Sequence, residues 1–185
     1  MENHVCPWWM GYVLANPLRR FIHNPEKILS PHITPGMKVL DLGCAMGFFS
    51  LPLAKMVAPE GKVLSLDIQP KMLKVLNRRA LKAGLAGIID SRICGPDHLG
   101  AEDMLGKINF VLAFYMVHEV KESRSLLEQV HALLASKGRF LILEPKHHVT
   151  RSEFQKTEAA AQQAGFKTIG HPNVRGSRTL LMEKD

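Results

Sequence analysis

The stretch VLDLGCAMGFFS, Val39 to Ser50, limits the folds open to this chain more than any other. It runs as an apolar strand into a carboxylate, Asp41, then through Gly43 and Gly47 into aromatic residues. A carboxylate at the end of a buried strand is costly unless something pairs with it. Glycines so placed serve a backbone that turns sharply, or one that something approaches closely.

The same alternation continues along the chain. Val39–Leu42, Val63–Leu66, Phe110–Phe114 and Phe140–Leu143 are apolar runs rich in branched or aromatic residues, and read as buried parallel strands. Ile88–Cys94 is a weaker candidate. Between them, IQPKMLKVLNRRALKAG predicts a helix that starts at Pro70 and stops at Gly84, with Met72, Leu73, Leu76 and Ala80 on one face. SRSLLEQVHALLASKG predicts a second, with Leu126, Leu127, Val130, Leu133 and Leu134 inward and Gly138 as its stop. A third opens with a Thr150-to-Glu153 capping box and ends at Gly165. The tail, Phe166–Ile169 and Thr179–Met182 around a turn-rich link, reads as a hairpin. Strands alternating with helices predict an α/β, Rossmann-like, doubly wound, mostly parallel seven-stranded sheet with an antiparallel C-terminal strand. Residues 1–35, interrupted by prolines, read as a helical lid segment ahead of one domain over 36–185.

Composition narrows the function classes. A length of 185 residues suits one domain, and 46% hydrophobic with 22% charged residues is ordinary for a globular protein. A net charge of +7 admits an anionic partner, but the basic residues form no long run, which disfavours nucleic acid. Three cysteines, Cys6, Cys44 and Cys94, without paired spacing, argue against a disulfide framework and against structural zinc. No apolar run is long enough to span a bilayer, and the start does not read as a signal peptide, so the cytoplasm is the default. A homodimer stays open.

In such a sheet a ligand binds beyond the carboxyl ends of the strands. Asp67 ends the second strand about twenty residues beyond the glycine loop, where an acid accepts hydrogen bonds from ribose hydroxyls. The loop is not G-x-G-x-x-G, and Asp41 would repel a pyrophosphate. A cationic nucleoside removes that conflict. S-adenosylmethionine, with an ammonium, a sulfonium and a ribose but no phosphate, therefore fits better than NAD.

At these residues the sequence resembles the class I S-adenosylmethionine-dependent methyltransferases, of the small-molecule type that includes ubiquinone/menaquinone and arsenite methyltransferases. The resemblance covers about residues 36–185. The family's first motif is an acid followed by three alternating glycines; Asp41, Gly43 and Gly47 match it, while Ala45 replaces the middle glycine. An alanine there requires negative φ or some strain. The resemblance implies that the Gly43–Gly47 backbone borders the methionine part and that Asp67 holds the ribose. Cys44, Ala45, Phe48, Ile68, Gly95 and Ala113 complete the implied cofactor set. Near the adenine the family often has an acid, for which Asp97 is a candidate, with Cys94 and Gly95 offering backbone contacts otherwise. The implied activity is methyl transfer to a small-molecule acceptor. Alternatives are a dinucleotide-dependent oxidoreductase and a non-catalytic cofactor-binding regulatory module.

For the acceptor, His118 and Glu119 follow the fourth strand and are the candidate catalytic residues, a histidine having a pKa suited to base work. Trp8, Trp9, Tyr115 and Glu144 are candidates to line the acceptor, with Tyr12 beside the tryptophans, although the amino-terminal aromatics also serve as mere anchors. His147 and His148, adjacent on an extended segment, would point apart, which disfavours a shared metal; no metal is expected. Arg175, Ser177 and Arg178 read as an anion site or, more simply, as solvated loop residues. A three-thiol site for a soft metalloid is disfavoured because Cys44 lies inside the cofactor loop. After the fourth strand stands Ala113-Phe114-Tyr115-Met116 instead of the Asn/Asp-Pro-Pro-aromatic motif that would point to nucleic-acid bases.

Overall fold

The structure is a computed structural model, and it describes Trp9, Gly11 and residues 16–185. The expectations for Cys6, Trp8 and Tyr12 lie outside the described residues. The chain divides into two compact units, residues 1–94 and 95–185.

The first unit opens with a 3-10 turn, Pro17–Phe21, and a short helix α1, Pro25–Leu29, whose side-chain caps are Asn16 and Asn24. Strand β1 (Lys38–Leu42), helix α2 (Ser50–Val57), strand β2 (Lys62–Asp67), helix α3 (Pro70–Lys82) and strand β3 (Ile89–Ile93) follow. β2 lies between β1 and β3 and pairs in parallel with both. All of β1 and β2 beyond the first residue of each is buried, as covering on both faces requires. Helix α3 starts at Pro70 and buries Met72, Leu73, Leu76 and Ala80, the face that the apolar spacing predicts. The weak strand candidate is real, though only Ile89 of its five residues is buried, which is why its hydrophobic signal is faint.

The second unit holds β4 (Ile108–Phe114), α4 (Ser123–Leu133), β5 (Leu134–Pro145), α5 (Arg151–Gln163), β6 (Phe166–Gly170) and β7 (Ser177–Lys184). β4 and β5 are parallel; β7 is antiparallel to β5, and β6 is antiparallel to β7. The seven strands among the described residues thus make the mostly parallel α/β arrangement with an antiparallel C-terminal end that the sequence predicts. Helix α5 carries the expected capping box. Helix α4 does not run to Gly138. It ends at Leu133, because buried Leu134 already pairs with Ile108 as the start of β5. The ammonium of Lys184 donates to the carbonyls of His131 and Leu134, both at 2.8 Å, and so satisfies the helix end. Gly138 lies inside β5, where a Cβ would meet the Ile108 carbonyl at 3.0 Å. No helix of the described residues is long and apolar enough to cross a membrane.

Candidate functional site

The first unit builds its site where β1 turns into α2. The amides of Gly43 and Cys44 both donate to the Leu66 carbonyl at 2.9 Å, the Gly47 amide donates to Cys44 O at 2.9 Å, and the Ala45 amide donates to Asp67 Oδ2 at 2.8 Å. The loop is therefore stitched to the exit of β2 by its own backbone. Gly43 has φ +70° and Gly47 φ +81°, and a Cβ on Gly47 would come within 2.3 Å of Leu76 Cδ1. The close approach that requires glycine at 47 is thus to helix α3. Ala45 takes φ +47°, so the strained alternative applies at the position where the related motif has glycine.

Two carboxylates meet this loop. Asp41 is 2% exposed and accepts a hydrogen bond from Ser50 Oγ at 2.5 Å. Burial pushes its carboxyl up from 3.8 to about 7; the Ser50 bond works against that rise, and the charge of Asp67 adds to it. Asp67 accepts from the amides of Ala45 and Gln69, and burial outweighs both bonds to raise its pKa as well. Neither carboxylate has a cationic partner among the described residues. Such a pair suits a ligand that brings positive charge and hydroxyls. It does not suit a diphosphate, because both acids would repel it and the amides of Gly43, Cys44, Ala45 and Gly47 already have acceptors. S-adenosylmethionine therefore fits the residues present, and a dinucleotide does not.

The other cofactor candidates of this unit fall around the loop. Phe48 is buried, edge-on to Phe49 at 5.1 Å, with the Arg19 guanidinium 4.8 Å over its ring. Ile68 is exposed at the exit of β2; Trp9, a candidate for the acceptor and not for the cofactor, is 56% exposed. Cys44 is buried, which drives its thiol up, and burial together with Asp67 pushes Cys94 up to about 11.

The second unit places a different group of residues together. Glu144, near the end of β5, is 1% exposed, and its two oxygens hold one residue: Oε1 accepts from the His118 amide at 3.1 Å and Oε2 meets His118 Nδ1 at 2.5 Å. That bond raises the His118 pKa, against the opposing effect of burial; the charges of Glu144 and Glu119 add to the rise. The ring is held through Nδ1, and its side chain is 28% exposed. Just before it, Tyr115 has φ +60°, a strained conformation for a bulky residue. Its ring stacks on Phe114 at 4.2 Å and its hydroxyl bonds Ser177 Oγ at 2.7 Å.

His147 and His148 do not point apart. The amides of His148 and Val149 both donate to Pro145 O, so the segment is a turn and not extended. The two rings lie 4.6 Å apart, and His148 stands parallel to His118 at 6.2 Å. Even so, no group of three or more His, Cys, Asp or Glu side chains among the described residues is arranged to hold a metal. Glu119 is exposed beside His118, Ala113 is fully buried in β4, and Gly95 donates its amide to His98 O at 2.9 Å. Asp97 is exposed and engages Gln129 through its backbone carbonyl. Sequence reasoning missed Ser50 as the partner of Asp41 and Ser177 as the partner of Tyr115. It also missed that Glu144, a candidate to line the acceptor, has both oxygens on His118. The signal available was that acids and histidines at the exits of consecutive strands are neighbours in a parallel sheet.

The methyltransferase-domain family model matches residues 33–176. The chain is 29% identical over 126 residues to a demethylmenaquinone methyltransferase of Symbiobacterium thermophilum, covering 68% of this chain and 49% of that protein. It is 27% identical over 138 residues to a ubiquinone biosynthesis O-methyltransferase of Xanthomonas axonopodis pv. citri, covering 73% of this chain and 54% of that protein. It thus spans about half the length of these curated relatives. Among solved structures, a SAM-dependent methyltransferase from Aquifex aeolicus superposes with a TM-score of 0.87 at 21% identity, over 98% of this chain and 100% of that one, a likeness of fold.

Proposed function

We propose that this chain, which belongs to the class I S-adenosylmethionine-dependent methyltransferase family, carries the cofactor's methyl group to a hydroxyl of a small molecule, with His118 as the base. The observation that carries the cofactor reading is the pair of buried carboxylates, Asp41 and Asp67, facing a loop whose amides already have acceptors. Asp67 and the loop would hold the nucleoside, with Asp41 behind them as the buried negative charge. When bound, S-adenosylmethionine supplies an electrophilic methyl carbon. His118 Nε2 would take the hydroxyl's proton, Glu144 would fix the ring tautomer and steady the imidazolium, and Tyr115 would line the acceptor. The names of both relatives support a quinone-type small molecule, and the name of one, a ubiquinone biosynthesis O-methyltransferase, supports an oxygen acceptor, which a base at His118 suits.

Calorimetry with S-adenosylmethionine, S-adenosylhomocysteine and NADH tests the cofactor half. Micromolar binding of the first two and none of the third is expected; NADH binding would return the oxidoreductase reading. Release of S-adenosylhomocysteine with simple phenols as acceptors tests the rest. Cofactor binding without any turnover, unaffected by His118→Gln, would make the chain a binding module.

A further inference from the structure

Around the His118–Glu144 pair the second unit gathers cations that a base has no need of. Arg178 stands directly across from Glu144 in the β5–β7 register, and opposed residues of antiparallel strands project from the same face. Both oxygens of Glu144 are engaged by His118, and Arg178 has no carboxylate partner among the described residues. Instead its Nε donates to Val149 O at 2.8 Å, which draws the half-buried guanidinium to the turn that carries His147 and His148. That leaves the Nη fork, the part of an arginine that matches a planar carboxylate. Lys146 opens the same turn, with its backbone tied to Gly176 O at 3.0 Å, and it too has no ion pair among the described residues. Ser177, next to Arg178 on β7, holds the hydroxyl of the strained Tyr115. One strand end and one turn thus bring together a base, an aromatic ring and two cations.

We infer that Arg178 and Lys146 form an anion subsite beside His118, and that the acceptor is a hydroxylated compound bearing a carboxylate. This rests on the acceptor-site reading above, and it names a substrate class that methyl transfer alone does not require. A cation used only to tie the turn to β7 would need the Val149 contact and nothing more, so substrate charge separates the two roles.

The test compares 3,4-dihydroxybenzoate with catechol, which differ by the carboxylate, using calorimetry on the full chain saturated with S-adenosylhomocysteine. The carboxylated probe is expected to bind about ten- to a hundredfold more tightly, as a charge-assisted hydrogen bond provides. Arg178→Gln should bring the two probes within about twofold of each other, with S-adenosylhomocysteine affinity unchanged as the control for folding. Should that variant fail to fold, Lys146→Gln, at an exposed position, should still cut the preference about threefold. Equal affinity for the two probes, no binding of the carboxylated one, or a preference that survives both substitutions overturns the inference. His118→Gln should keep the carboxylate preference while losing turnover, so failure of the base and failure of the subsite give different results.

Discussion

Asp41 and Glu144 are each the residue before last of a parallel strand, and they are equally buried, yet the protein answers them differently. Asp41 receives a serine hydroxyl, and its carboxyl rises to about 7. Glu144 receives an imidazole, and what rises is the pKa of His118. A hydroxyl satisfies geometry without cancelling charge; an imidazole does both. The first acid therefore keeps a demand for positive charge that a ligand can meet, whereas the second spends its charge on holding His118. One unit holds a buried acid whose charge is not cancelled, and the other a buried acid paired with a histidine.

Removing the base should give the largest effect. His118→Ala is expected to slow methyl transfer by about 10²- to 10⁴-fold, with cofactor affinity unchanged, since positioned proton transfer is worth that much. Single-turnover rates at saturating cofactor measure it. A loss below threefold would mean that the second unit holds its histidine for structure alone, and the contrast with Asp41 would collapse.

Removing the other acid should change stability in the unexpected direction. The folded pKa of Asp41 is above its unfolded value of 3.8, so the folded chain holds a proton there that the unfolded chain releases. The stability from this group is fully present below about pH 4 and is lost as the pH rises through about 7, and Asp67 acts in the same sense. Asp41→Asn, which keeps an acceptor for Ser50, should stabilise the ligand-free chain at pH 8 by up to about 4 kcal/mol and change little at pH 4. It should also weaken S-adenosylmethionine binding. Urea unfolding at the two pH values reads the sign; destabilisation at pH 8 would show that the charge already has a partner in the protein.

Asp67 lies between these extremes, because two amides already hold it. Asp67→Ala should weaken S-adenosylhomocysteine binding by about 1.5–3 kcal/mol, the worth of a charge-assisted hydrogen bond. An unchanged affinity would place the ribose elsewhere.

Much of this contrast was legible in the residues, and the remainder shows where a linear reading stops. The strand exits could be read because β1, β2 and β4 are buried on both faces and so appear as mainly apolar runs. The face of α3 and the cap of α5 could be read because they are local. The end of α4 could not, since a tertiary pairing, Leu134 with Ile108, overrides the helical spacing that continues through Leu134. The role of Gly47 depends on Leu76, far along the chain, and the bond of His118 to Glu144 depends on the register of β4 against β5. The histidine pair differs from the expectation because the chain leaving β5 is not extended: Pro145 O gathers two amides and closes a turn.

The smallest effect would sharpen the comparison most, because it isolates charge from shape. Glu144→Gln keeps an acceptor for His118 but removes the negative charge. The His118 pKa should then fall from its raised position, with Glu119, His147 and His148 as the remaining titratable neighbours. In the native pair the bond to Glu144 stabilises the fold fully below the ordinary histidine value of 6.5, and that stability is lost as the pH rises through the folded value. The substitution should therefore cost about 1 kcal/mol at pH 5.5 and less at pH 9. The acidic limb of the pH–rate profile should move to lower pH, as should the midpoint of the His118 ring-proton NMR signal. If both midpoints stay where they are, Glu144 holds the ring by shape alone, and its carboxylate differs from that of Asp41 in geometry but not in kind.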